Sequence, residues 1–266
     1  MRLSTILIFL IAISCKPDKP SVENTEVQNG PWEATHFYDR EGNVIGFNYI
    51  QPIDQKDDEL YPLVLFLHGA GERGDDNEAQ LVHIAPIFAS DSIRKAHPSF
   101  VVFPQCPTEQ FWAPLQLTEG EWRINSGGPP DPSMSKVMAL VDNMIKQYPI
   151  DTNRLYISGL SMGGFGTFDY LARQPDKWAA AVPICGGGDL NYANSYAHVP
   201  MKIFHGAMDQ VVPVTLSREI HQALMDAEAS DLEYIEFPEG GHGVWNDAYD
   251  HEGLLDWMFS QRKGTK

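Results

Sequence analysis

The sequence predicts an α/β fold: a mostly parallel central sheet with helices on both faces and an antiparallel hairpin at its N-terminal side. Three observations carry this expectation. From residue 35 onward short apolar runs alternate with helical patterns, the spacing of strand–helix units. The runs are continuous, as in strands covered on both faces, where a half-exposed strand would alternate. No repeat or internal linker divides the chain, and 266 residues with 43% apolar content can bury one large core.

The elements are justified in chain order. Arg2 supplies a positive start and Ile6 to Ile13 an apolar run. That run is shorter than the ~20 residues of a spanning helix and suits a signal peptide. It ends at Ile11-Ala12-Ile13-Ser14-Cys15, which resembles the lipobox of bacterial lipoproteins. Residues 1–15 are therefore expected to be a lipoprotein signal peptide, with Cys15 as the lipidated mature N-terminus. Residues 16–32, rich in Pro, Glu, Asn and Ser, read as a flexible tether, and 33–266 as the folded domain. The expected location is an exported bacterial lipoprotein, periplasmic or at the cell surface and membrane-anchored.

Within the domain, His36–Asp39 and Ile45–Ile50 flank Arg40-Glu41-Gly42-Asn43 as a hairpin. Leu63–Leu67 is a buried strand ending in the glycine-rich His68–Gly74, and Phe100–Phe103 is another. Pro104 to Pro132 reads as one long irregular stretch, a length at which loops are usually functional or mobile. Met134–Tyr148 carries apolar residues near a 3.6-residue period and stops before Pro149. Strands at Leu155–Ser158, Ala180–Ile184, Met201–Phe204 and Leu232–Phe237 then alternate with helices at Met162–Arg173, Val214–Ala229 and Gly253–Gln261.

Charge narrows the function classes. Nineteen basic against 36 acidic residues give −17, which disfavours nucleic acid or an anionic membrane surface as the main partner. Cys106 and Cys185 have no metal-ligand spacing; they are either two buried thiols or, in an exported protein, a disulfide.

The chemistry centres on Gly159-Leu160-Ser161-Met162-Gly163, set between a strand and a helix. There a serine stands on a sharp turn with its hydroxyl clear, the nucleophile elbow of α/β-hydrolases. A serine needs a base and an orienting acid, in this fold in the order Ser, Asp/Glu, His. His242, in the glycine-rich loop after the last strand, is the preferred base over His251, which opens a helix. His68 and His205 stand in the wrong order for that role. Asp209, just past a strand, is the preferred acid, with Asp189 as the alternative. The oxyanion hole is assigned to the backbone N–H groups of Met162 and Ala70.

These segments, with Leu67 to Gly74, Pro104-Gln105-Cys106-Pro107, Pro183 to Asp189, His205-Gly206, Val212-Pro213 and Trp245, resemble the carboxylesterase/phospholipase-like putative esterases. That bacterial branch of the α/β-hydrolases is also labelled predicted peptidases and is related to the dienelactone hydrolases. The resemblance spans roughly residues 60 to 262. It implies the α/β-hydrolase fold without a large lid, Ser161, Asp209 and His242 as the triad, and short acyl or glycan-linked esters as substrates. Neither a metal nor an organic cofactor is expected. Trp112, Trp245 and Trp122 are candidates for the substrate pocket, and Glu72 and Arg73 for a pair bracing the oxyanion loop. The rival readings are a serine peptidase of the same fold and a non-catalytic surface binding protein.

Overall fold

The computed structural model describes residues 22–24, 30–118 and 121–264. Residues 1–15, read above as a lipoprotein signal peptide ending at Cys15, lie outside the described residues. Inside the span read as tether, Val22–Asn24 forms strand β1, paired antiparallel with β2 (Glu33–Tyr38). β2 and β3 (Val44–Ile50) make the expected hairpin. Next come β4 (Tyr61–Leu67), two short helices α1 (Ala85–Ala89) and α2 (Asp91–Ala96), and β5 (Phe100–Pro104). A small hairpin, β6 (Leu115–Thr118) with β7 (Glu121–Ile124), precedes α3 (Pro132–Gln147). The chain continues through β8 (Ile150–Leu160), α4 (Met162–Arg173), β9 (Ala180–Ile184), α5 (Ala193–Tyr196) and β10 (Met201–Gly206). It closes with α6 (Val214–Asp226), β11 (Leu232–Phe237), α7 (Trp245–Tyr249) and α8 (Leu254–Ser260).

Nine strands form one sheet in the order β1-β2-β3-β5-β4-β8-β9-β10-β11. From β5 through β11 in that order the strands are parallel, and the N-terminal three add antiparallel pairs at one side. Every residue of β4, β5 and β9 is buried, which is why they read as unbroken apolar runs. The pleat sends alternate side chains to opposite faces. Leu63, Leu65 and Leu67 join the cluster under α3, α4 and α6, while Val64 and Phe66 join the one under α1, α7 and α8.

Two differences from the sequence expectation have local causes. The stretch read as irregular contains the β6–β7 hairpin, whose Trp122 stacks on Phe165 of α4 at 5.6 Å and 7°. The last long helix pattern stops at Asp226, because Glu228 turns into the left-handed region at φ 59°.

Candidate active site

β8 delivers Ser161 to the C-terminal edge of the sheet, and α4 begins at the next residue. Ser161 takes φ 52° and ψ −115°, a strained conformation for a side-chain-bearing residue, held by its N–H bond to Ile184 O at 2.8 Å. Glycine at 163 is compulsory: a Cβ there would stand 1.9 Å from Leu67 O. The strand and helix backbones pass too closely for any side chain.

The structure brings Ser161, His242 and Asp209 into one hydrogen-bonded chain. His242 Nε2 lies 2.9 Å from Ser161 Oγ, and Nδ1 lies 2.7 Å from Asp209 Oδ2. An ionised carboxylate only accepts, so Nδ1 carries the ring proton and Nε2 is free to accept the serine proton. Asp209 Oδ1 accepts the N–H groups of Val211 at 2.7 Å and Val212 at 2.9 Å. Burial pushes this carboxyl up, but the bonds from His242 and the two amides outweigh it and hold it below the usual carboxylate range.

Asp189 is employed elsewhere: its Oδ2 accepts Ser126 N–H at 3.0 Å and its Oδ1 caps Asn191 N–H at 3.1 Å. His251 sits edge-on to Phe204 at 5.5 Å.

Met162 opens α4 and Ala70 opens a turn of 3₁₀ helix, so neither N–H has an intrahelical partner. The Ala70 loop is pinned from behind. His68, fully buried, places Nδ1 2.6 Å from Gly69 O and accepts Cys106 N–H on Nε2 at 2.9 Å. Burial drops the His68 ring to about 4, so it stays neutral and keeps this tautomer. Arg73 Nε donates to Ala70 O at 3.0 Å, while Glu72 faces His83 at 3.2 Å. The expected Glu72–Arg73 pair is thus replaced by two separate braces.

The tryptophans divide. Trp245 lies perpendicular to the His242 ring at 5.7 Å. Trp112, expected at the substrate pocket, is instead fully buried and gives its indole N–H to His68 O at 3.0 Å, a packing role behind the loop. Cys106 and Cys185 are separate buried thiols.

Sequence reasoning passed over His205. Its Nε2 lies 3.2 Å from Asp209 Oδ2 and 3.1 Å from Val212 O, and its Nδ1 2.7 Å from Ser217 Oγ. Both partners of Nε2 are acceptors, so Nε2 is protonated and adds a donor to the carboxylate. Burial holds the ring below the usual histidine range, and Ser217 Oγ completes the set 2.8 Å from Gly186 O. The available signal was a histidine four residues from a candidate acid at a strand end.

Such an arrangement can take a proton from a serine, stabilise the resulting imidazolium and offer two amides to an oxyanion. Known proteins resemble the chain that carries it. The phospholipase/carboxylesterase family pattern matches residues 48–251. A bifunctional acetylxylan esterase/xylanase of Neocallimastix patriciarum is 37% identical over 153 residues, 57% of this chain and 20% of that protein. Poly(3-hydroxyalkanoate) depolymerase C of Paucimonas lemoignei is 30% identical over 133 residues, 47% of this chain and 28% of that one. The chain therefore spans under a third of either curated relative. A solved thermostable esterase superposes with a TM-score of 0.80 at 36% identity, covering 88% of this chain and 64% of that one.

Proposed function

The chain belongs to the phospholipase/carboxylesterase family, and on that premise we propose that it hydrolyses carboxylic esters through an acyl-enzyme on Ser161. The observation that carries this reading is the unbroken path from Ser161 Oγ through His242 to Asp209, with contacts of 2.9 and 2.7 Å.

Ser161 Oγ attacks the ester carbonyl carbon while His242 Nε2 takes its proton. The carbonyl oxygen becomes an anion and is received by the N–H groups of Met162 and Ala70. Asp209, kept ionised by its amide and imidazole donors, stabilises the imidazolium. Collapse breaks the bond to the alcohol oxygen, which leaves with the proton from His242. Water then gives a proton to His242 and attacks the acyl group, and the acid departs as Ser161 regains its proton. Every proton in this cycle is returned, so the chemistry needs no metal and no organic cofactor.

The substrate class proposed is short-chain or carbohydrate-linked esters, in keeping with the ester-cleaving relatives named above. The Arg2 start, the Ile6–Ile13 run and Cys15 support export and attachment through a lipid on Cys15.

Replacing Ser161 by Ala is expected to lower kcat/KM on p-nitrophenyl acetate by at least ~10³-fold and to abolish fluorophosphonate labelling. Retained turnover in the folded variant removes the mechanism. Parallel assays on peptide amides separate an esterase from a peptidase of the same fold.

A further inference from the structure

The reaction cycle makes no use of Cys185, yet the turn that carries it borders every arm of the site. β9 ends at Ile184, whose carbonyl takes the N–H of Ser161 at 2.8 Å. Cys185 follows, fully buried, with its own N–H bonded to Phe204 O of β10 at 2.8 Å. The carbonyl of Gly186 accepts the Ser217 hydroxyl, which also meets His205 Nδ1. The Cys185 sulfur lies within 4.8 Å of a His205 ring nitrogen and an Asp209 carboxylate oxygen. It stands 3.5 Å from the backbone carbonyl oxygen of His242, to which it donates.

Two observations single out the thiol. Cys185 sits at φ 49°, in the left-handed region that strains a residue with a Cβ and suits glycine, although glycines fill the next three positions. Strain kept beside a reacting group points to a use for the side chain that bears it. Burial pushes the thiol up to about 12, so at neutral pH it keeps its proton and can donate. The acceptor of that proton belongs to the base. His242 lies between Gly241 and Gly243, both exposed, a stretch with wide backbone freedom. The chain is tied before it at Gly240, whose carbonyl takes Met208 N–H at 2.9 Å, and after it at Val244, whose carbonyl takes Ala248 N–H at 2.9 Å. Between those ties the Cys185 thiol meets the carbonyl of His242 itself. Building on the esterase reading, we propose that Cys185 is a positioning residue, whose thiol fixes the backbone of the base and so keeps the imidazole in line between Ser161 and Asp209. It acts through His242, and a base displaced by a fraction of an ångström loses rate in the chemical step.

The test uses Cys185→Ala, Cys185→Gly and Cys185→Ser in the full chain. Each is measured for p-nitrophenyl acetate turnover, fluorophosphonate labelling of Ser161 and urea midpoint. Ala keeps the strained backbone and loses the thiol, Gly loses thiol and strain together, and Ser keeps a donor on a shorter arm. The expected result is a fall in kcat of about three- to tenfold in both the Ala and Gly variants, the worth of one modest hydrogen bond, with KM nearly constant. Ser should recover part of that loss. If strain unfolds the Ala variant, the Gly variant decides alone. A merely structural thiol would make kcat follow the urea midpoint, and a Gly variant as active as the wild type overturns the proposal. A loss carried by KM overturns it too, since the thiol would then act on substrate binding. Wild-type protein that neither cleaves p-nitrophenyl acetate nor takes the fluorophosphonate overturns the esterase reading itself, and so separates that failure from failure of the positioning role.

Discussion

Two buried histidines brace the candidate site, and they do so in opposite places. His205 adds a donor 3.2 Å from the carboxylate oxygen that also receives His242. Removing it leaves Oδ2 with His242 as its one imidazole donor, while Oδ1 keeps its two amide donors. His205→Ala is expected to lower kcat by about tenfold, the worth of one hydrogen bond to a charged group, with KM nearly constant. His205→Asn, which restores an N–H donor, should recover part of the loss; equal kcat in wild type and the Ala variant would deny the positioning role. His68 acts on the other arm, behind the Ala70 loop, and burial drops its titration to about 4 from an ordinary value of 6.5. The unfolded chain binds this proton more readily than the folded one. Stability is therefore unaffected above about pH 6.5 and declines as pH falls from there toward 4, by about 3 kcal/mol from this ring. Asp209, held below 3.8, loses its contribution only at still lower pH and does not blur that window. Urea midpoints between pH 8 and 4 should fall steeply in wild type and less steeply in His68→Asn, though that variant starts lower at pH 8. Parallel slopes would show that the ring is not the titrating group. That Ser161, Asp209 and His242 meet was legible in the sequence, because the proposed acyl transfer would fix residue type, order and place at strand ends. His205 was not, because support of a carboxylate imposes no order along the chain and a histidine before the acid looked out of place.

Elements were legible in proportion to how far burial alone shaped them. β4, β5 and β9 are covered on both faces and appear as continuous apolar runs. The β6–β7 hairpin escaped notice because it is short, Leu115, Trp122 and Ile124 lying against Phe165, Val212 and Leu216, and because Pro and Gly surround it. Past it the chain is fastened by a buried ion pair: Asp169 accepts Arg173 at 2.7 Å and Ser126 Oγ at 2.8 Å, and Arg173 reaches Gly128 O at 2.9 Å. Asn77 was equally hidden, since polar residues in a glycine-rich loop look exposed. It sits in the left-handed region at φ 55°, buried, and ties three segments together. Its Nδ2 reaches Thr35 O at 3.1 Å and Phe47 O at 3.2 Å, and its Oδ1 accepts Asn48 at 3.1 Å and Gln80 at 2.6 Å. Asn77→Ala strands several buried groups at once and strains a residue with φ above zero, so a loss of about 2–4 kcal/mol is expected. Asn77→Asp keeps the acceptor but not the donor and should fall between. A urea midpoint unchanged in the Ala variant would show that water replaces the side chain without cost.

At the scale of the molecule, the groups of the candidate site come from segments far apart in sequence and meet because parallel strands end together. Ala70 follows β4, Ser161 follows β8, Asp209 follows β10 and His242 follows β11, all at carboxyl ends, where open α/β sheets place their ligands. The rest of the surface bears on where this edge works. With −17 formal charge the chain is repelled by an anionic bilayer, and among the described residues no helix is long and apolar enough to cross a membrane. In the proposed attachment the lipid on Cys15 supplies the hold and electrostatic attraction adds nothing to it. Two outcomes follow from that division of forces. Cys15→Ser is expected to move ester hydrolysis from the membrane pellet to the soluble fraction with kcat unchanged, since Cys15 lies far outside the segments that build the site. Washing wild-type membranes with about 1 M salt, which shortens electrostatic reach to about 3 Å, should release almost none of the activity. Release by salt would mean that charge on some partner holds the protein. Retention of the Ser variant would mean that lipid on this cysteine does not.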